Sequence, residues 1–211
     1  DVVVVRGAGG NFCAGGDFHE LGRLRALGRA AMAELFDNFR RACAIIETLP
    51  VPVICAVEGF ATAGGFELIQ AADIVLLHEN AVLADIHAKF GQIPGGGGTQ
   101  TLPRAVGERR AKELILTGKP FTAAEAREWG FVNEVFPLPE LLPAALATAS
   151  RIARNAPISV RQAKLSIHRG LQLDCNKLTA TAADTADVEL DVGRLADQRA
   201  EMALLDQVQA Q

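Results

Sequence analysis

The sequence predicts an α/β fold that ends in a helical region, and three observations carry that prediction. Short, continuously apolar runs at Val2–Val5, Val53–Val57 and Ile74–Leu77 have the look of buried strands. Between the first two, apolar residues recur at helical spacing from Leu27 to Leu49, namely Leu27, Ala31, Leu35, Phe39, Ala42, Ile46 and Leu49. After Pro137 every periodic segment is helical. Repeated strand–helix alternation followed by helices favours an α/β core with an α-helical C-terminal region.

In chain order, Val2–Val5 is the first strand, expected to be central because it is wholly apolar. The chain opens inside it without a methionine, so an upstream part of the domain is expected to be missing. Gly7–His19 is a loop, and Leu27–Leu49 a helix that Pro50 and Pro52 terminate. Val53–Val57 leads into a turn at Gly59–Gly64, then a short helix over Gly65–Ala72. Ile74–Leu77 and Ala81–Ala84 are short strands. Ile93–Gly98 is a glycine-rich loop, with Thr99 expected to cap the helix that follows. Helices are expected around Arg104–Leu116 and Ala123–Glu128, a strand at Phe131–Val135, and helices at about 139–154, 157–172 and 177–207. The domain organisation is therefore a core over residues 1–140 and a helical region over 141–211 of the same domain.

Composition narrows the functional classes. Of 211 residues, 49% are hydrophobic and 22% charged, enough for one globular core. The net charge is −4, and no basic block exceeds two residues, which gives nucleic-acid binding no support. Cys13, Cys43, Cys55 and Cys175 are widely spaced with no CxxC pair, and Cys43 and Cys55 lie in apolar runs as buried thiols. No His/Cys/carboxylate cluster has metal-ligand spacing. With no signal peptide and no spanning apolar run, the expectation is a cytoplasmic protein without membrane association.

Two glycine-bearing turns carry the chemistry. The first is Phe12-Cys13-Ala14-Gly15-Gly16-Asp17, and the second is Gly59-Phe60-Ala61-Thr62-Ala63-Gly64-Gly65-Phe66-Glu67. Small residues let a ligand approach the main chain, and Asp17 is placed to accept from loop amides and hold its turn. Gly64 sits where a strand leads into a helix, so its N–H falls near a helix N-terminus that favours developing negative charge. Two N–H groups converging on one oxygen make an oxyanion hole, the apparatus of carbonyl or thioester chemistry. Glu67, one turn into the helix, reads either as a capping carboxylate or as a general base beside that hole.

With these turns, the chain resembles the crotonase family of enoyl-CoA hydratases and isomerases. The matching segments are the two turns, Pro52–Val57, Ala72-Asp73-Ile74, Phe90-Gly91-Gln92-Ile93-Pro94-Gly95-Gly96-Gly97-Gly98-Thr99-Gln100, Leu116-Thr117-Gly118 and Ala126–Val135. They stand in the family's order and spacing up to about residue 140. The resemblance implies a crotonase-like spiral of ββα turns. It also implies an acyl-CoA thioester substrate whose carbonyl oxygen is held by the N–H groups of Ala14 and Gly64, and an enolate intermediate. Cys13, Gly15, Gly16, Asp17, Phe60, Gly65, Pro94 and Gly95 are implied as substrate-binding, with Glu67 and His87 as catalytic. No tightly bound cofactor is implied, coenzyme A being part of the substrate, and assembly is expected as a homotrimer or a dimer of trimers.

One departure stands out. Family hydratases hold a water between two glutamates; Glu67 matches the first, but the second falls on His87, in Asp85-Ile86-His87. Three readings stay open at this point. His87 replaces the second glutamate in hydration; or the pair runs isomerisation or carbon–carbon hydrolysis; or His87 is a satisfied polar residue of the wall and Glu67 acts alone. Family members that hydrolyse carbon–carbon bonds resemble this chain in their histidine, but carry an acid near the position of Gly96 and lack the glutamate. Asp85 is an alternative carboxylate, and His19, His78 and His168 show no partner motif. The N-terminal segment that helps bind CoA in the family is expected to be the part missing upstream, leaving Arg194 and Arg199 as charged candidates near the C-terminus. A catalytically silent acyl-CoA-binding protein on the same scaffold is the alternative from another class.

Overall fold

Two parallel-stranded layers organise the computed structural model, which describes residues 1–171. The expected helix at 177–207, with Cys175, Arg194 and Arg199, lies outside the described residues. The chain divides into two units, Asp1–Ile152 and Ala153–Gln211.

In the first unit, a four-stranded sheet runs β1 (Val3–Arg6), β2 (Val53–Val57), β4 (Ile74–His78), β7 (Glu134–Phe136), all parallel. A second sheet holds β3 (Phe60–Thr62), β5 (Val82–Ala84) and β6 (Phe121–Thr122), the last antiparallel to β5. The continuous apolar run of β2 follows from its position, because both faces are covered. Cys55 and Val57 point into one core with Phe66, Ile69, Leu77 and Phe121. Ile54 and Ala56 point into another, with Leu76, Leu141 and Ala145. Two side chains pin the register: Asp73 Oδ2 accepts from Val53 N at 2.7 Å, and Asn133 Oδ1 from Val75 N at 2.8 Å. Phe66, Phe121, Phe131 and Trp129 stack at centroid distances of 5.2–6.1 Å, and the Arg110 guanidinium lies 4.5 Å over Trp129.

Several expectations are corrected. Among the described residues the first strand lies at a sheet edge rather than the centre, with Val3 41% exposed. The segment taken for a loop up to His19 already begins helix α1 (Phe18–Leu27), which Asp17 caps by accepting from His19 N and Glu20 N. That helix buries no side chain, so it has no apolar stripe to read. The expected helix over 27–49 is α2 (Arg29–Thr48), separated from α1 by Gly28. Phe60–Thr62 is a strand where a plain turn was expected. The helix after the glycine loop is α4 (Gly98–Val106), with Gly97 rather than Thr99 at its N-cap and no side-chain cap bond. Gly107 divides it from α5 (Glu108–Thr117), where one helix over 104–116 was expected.

The short helices α3 (Gly64–Gln70) and α6 (Ala123–Glu128) follow their strands directly, and Thr122 and Glu125 form a reciprocal capping box at α6. Helix α7 (Leu138–Ala153) buries Leu141 and Ala145. In the second unit, α8 (Pro157–Gly170) starts with Pro at its first position, where its missing N–H costs nothing.

Candidate active site

The two turns meet through the main chain. Cys13 pairs with Ala61 in a parallel bridge, Cys13 N donating to Phe60 O at 3.0 Å and Thr62 N to Cys13 O at 3.0 Å. Thr62 Oγ1 donates to Ala14 O at 3.0 Å, and Phe60 N to Asn11 Oδ1 at 3.0 Å. The approach is so close that a Cβ on Gly65 would fall 2.0 Å from Cys13 O, which leaves glycine as the residue that fits. Among the described residues neither the Ala14 nor the Gly64 N–H has an acceptor. Ala63, between β3 and α3, has φ 49° and ψ −121°, the one positive-φ non-glycine described. Such a backbone costs about 1–3 kcal/mol and persists where its surroundings over-determine it. Here Ala63 N is tied to Ala84 O at 3.1 Å, which holds the strand-to-helix corner that presents Gly64 N.

Glu67 projects from α3 and is 2% exposed. The glycine loop wraps its carboxylate: Gly96 N donates to Oε1 at 2.7 Å, Gly98 N to Oε1 at 2.9 Å and Gly95 N to Oε2 at 3.3 Å. Three main-chain donors on one carboxylate fix its direction. This gives the glycine run a structural purpose that spacing alone did not reveal: residues without Cβ let three amides converge.

His87 opens a 3-10 turn, His87–Phe90, just after β5, and is also buried. Its Nε2 stands 3.5 Å from Glu67 Oε2, and its Nδ1 lies 2.8 Å from Asp85 Oδ1. With Nδ1–H donating to Asp85, Nε2 is the atom that faces Glu67. Burial pulls the imidazole down, but the hydrogen bond and charge of Asp85 and the charge of Glu67 outweigh it. The net effect raises His87 above its ordinary 6.5.

These groups line a cavity of about 260 Å³ with Cys13, Gly15, Gly16, Leu21, Leu35, Phe36, Phe39, Ala63, Gly64, Gln92 and Gly95. Leu21 on α1 and Leu35, Phe36 and Phe39 on α2 give it an apolar side. Sequence reasoning placed Leu35 and Phe39 on a helix but assigned them no site role; their periodicity marked a buried stripe without saying what it faces. Of the sequence-derived site residues, Cys13, Gly15, Gly16, Gly64, Glu67, His87 and Gly95 line the cavity. Asp17, Phe60, Gly65 and Pro94 do not: Asp17 caps α1, Phe60 lends its carbonyl to the first turn, and Gly65 packs on Cys13. Ala14 is exposed between two lining residues.

Behind the carboxylate, Cys43 is buried and its thiol is pushed up to about 11, by burial first and then by Glu67. Cys55, in β2, is pushed up to about 12, by burial and then by Asp73. Among the described residues no three His, Cys, Asp or Glu side chains are arranged to hold a metal ion, and no helix is long and apolar enough to cross a membrane.

The enoyl-CoA hydratase/isomerase family model matches residues 1–193. The chain belongs to this family. Among similar proteins, a mitochondrial enoyl-CoA hydratase domain-containing protein 2 of Mus musculus is 40% identical over 78% of the chain and 56% of its own length. A short-chain-enoyl-CoA hydratase of Clostridium acetobutylicum is 38% identical over 84% of the chain and 67% of its own length. The chain thus spans roughly half to two thirds of the length of these relatives. In structure, the chain is similar to the crystal structure of an enoyl-CoA hydratase from Bacillus anthracis, with a TM-score of 0.82 and 40% identity. That match covers 87% of the chain and 70% of the other protein. The fold is accordingly the crotonase fold expected from the two turns.

Proposed function

We propose that this site adds water across the double bond of a 2-enoyl-CoA thioester. The observation that carries the reading is the facing pair, Glu67 Oε2 and His87 Nε2, 3.5 Å apart in the cavity wall. A water bonded to both must sit off the line between them, on the cavity side. Ala14 and Gly64 N–H receive the thioester oxygen. Glu67 takes a proton from the water as its oxygen bonds to the β-carbon, and the electron pair passes through the α-carbon to the oxygen as an enolate. The oxyanion donors stabilise this charge. His87, as imidazolium, gives its proton to the α-carbon. Glu67 then holds a proton and His87 lacks one, and transfer between the two neighbours resets the site.

The crowding at Gly96 bears on the carbon–carbon hydrolase alternative. A Cβ there would lie 2.6 Å from Phe39 Cε1 and 3.2 Å from Glu67 Cδ. An acidic side chain at 96 and a glutamate at 67 therefore compete for one space, and this chain has the glutamate. Double-bond isomerisation needs only one shuttling base, so the presence of a second proton carrier favours hydration. The assembly that goes with this reading is a trimer or a dimer of trimers, checked by sedimentation.

Loss of enoyl absorbance from crotonyl-CoA and longer enoyl-CoA substrates tests the reading. Turnover is expected to fall about 10²–10⁴-fold in Glu67→Gln and in His87→Ala. No turnover at any chain length overturns hydration; if acyl-CoA still binds by calorimetry, the silent binding protein takes its place. Full activity in His87→Ala removes the histidine from the mechanism.

A further inference from the structure

One buried carboxylate remains that the proposed steps do not use. Asp85 follows β5 and is 0% exposed. Its Oδ1 accepts twice from the same residue, from the His87 main-chain N at 3.2 Å and from the ring Nδ1 at 2.8 Å. A clamp at both backbone and ring leaves the imidazole one orientation, with Nε2 toward Glu67. Among the described residues the other oxygen, Oδ2, is buried without a hydrogen-bond partner. A buried carboxylate with one bare oxygen is costly unless a positive charge adjoins it. The adjoining group that can become positive is the imidazole of His87.

We propose that Asp85 is a positioning residue for His87, holding the ring in the Nδ1–H form with Nε2 on Glu67. This rests on the hydration reading above. It makes the three groups one array, Asp85–His87–Glu67, in which Glu67 receives the water proton and Asp85 lies behind the donor. The charges that face His87 are Glu67 from α3 and Asp85 from the end of β5. Lys89, on the histidine's own turn, runs its side chain along Gly118 instead, where a Cβ would lie 2.6 Å from Lys89 Cε. The α2 residues of the cavity, Leu35, Phe36 and Phe39, carry no charge, and Gln92 is neutral.

The test is nitrogen NMR of the whole chain with ¹⁵N-labelled histidine, titrated against pH, with His87→Gln giving the assignment. In the parent chain His87 is expected in the Nδ1–H form when neutral, with a midpoint above about 6.5. In Asp85→Asn the proton affinity is expected to drop by about tenfold or more, a shift of one pH unit. Enoyl-CoA turnover should fall about 10²-fold in kcat, with KM changed much less. An Nε2–H form or a midpoint below 6.5 in the parent overturns the proposal without any variant having to fold. So does an unshifted His87 midpoint in folded Asp85→Asn. Because the titration needs no turnover, it stands or falls separately from hydration, which fails only if the parent chain leaves every enoyl-CoA unchanged.

Discussion

Substituting Gly96 with alanine probes the site where packing and chemistry share one position. An added Cβ would sit 2.6 Å from Phe39 Cε1, 3.2 Å from Cys43 Sγ and 3.2 Å from Glu67 Cδ. Carbon atoms prefer about 3.5–4.0 Å, so relief against the Phe39 ring requires a movement of about 1 Å. Gly96 N donates to Glu67 Oε1 at 2.7 Å, and a displacement of that size takes the pair past the hydrogen-bond limit. A hydrogen bond to a charged group contributes about 1.5–3 kcal/mol, which corresponds to about 10–10²-fold in rate if the loss falls on the placement of the base. Overpacking adds about 1–3 kcal/mol of destabilisation. Steady-state hydration of crotonyl-CoA and thermal unfolding read the two effects separately. The expected result is a fall in kcat/KM of about 10–10²-fold with a lowered Tm. Activity within twofold of the parent at unchanged Tm would refute the claim that the glycine loop holds Glu67 in place.

Four further outcomes are expected. Because His87 is raised above its ordinary 6.5, kcat should fall as pH climbs through the raised value, a limb absent from residual activity in His87→Gln. The same shift makes the histidine's stabilising contribution complete below about pH 6.5 and lost as pH rises through the folded-state value. Denaturant unfolding of parent and His87→Gln should therefore converge at high pH, and a gap independent of pH contradicts this. Cys43 and Cys55, buried and raised to about 11 and about 12, should resist alkylation at pH 8 in the folded chain, while Cys13 in the cavity wall reacts and is protected by bound acyl-CoA. Peptide mapping that finds Cys43 modified as fast as Cys13 would overturn that assignment. Thr122→Ala removes the side-chain half of the α6 capping box, the Thr122 Oγ1 that accepts from Glu125 N, and should lower stability by about 0.5–2 kcal/mol by denaturant titration, with enoyl-CoA turnover preserved.

Much of the framework was legible because it rests on local patterns. The runs at 53–57 and 74–77 read as buried strands because each alternate residue meets apolar packing, a demand written in every position. The glycine turns were legible because close main-chain approach excludes side chains, as at Gly65 against Cys13. Helix α1 escaped notice because it buries nothing and so has no stripe. The break at Gly107 was hidden because the apolar spacing continues across it.

The α/β class, the two turns and Glu67 beside them are legible in the residues alone, and the resemblance they carry marks His87 as the departure from the family's glutamate pair. Only the tertiary structure decided what those residues do to one another. Glu67 and the amides of Gly95, Gly96 and Gly98 are 28–31 positions apart and meet only when α3 packs beneath the glycine loop. Asp85 and His87 are near neighbours, yet their relation depends on the χ angles and burial that make one oxygen clamp both backbone and ring. The physical reason is range. Periodicity and turn chemistry act over a few residues and are written in sequence, whereas hydrogen-bond direction and electrostatic coupling act through space and fall off within a few ångströms. His87 is a departure in the sequence; 3.5 Å from Glu67 and 2.8 Å from Asp85, it is an imidazole held between two carboxylates.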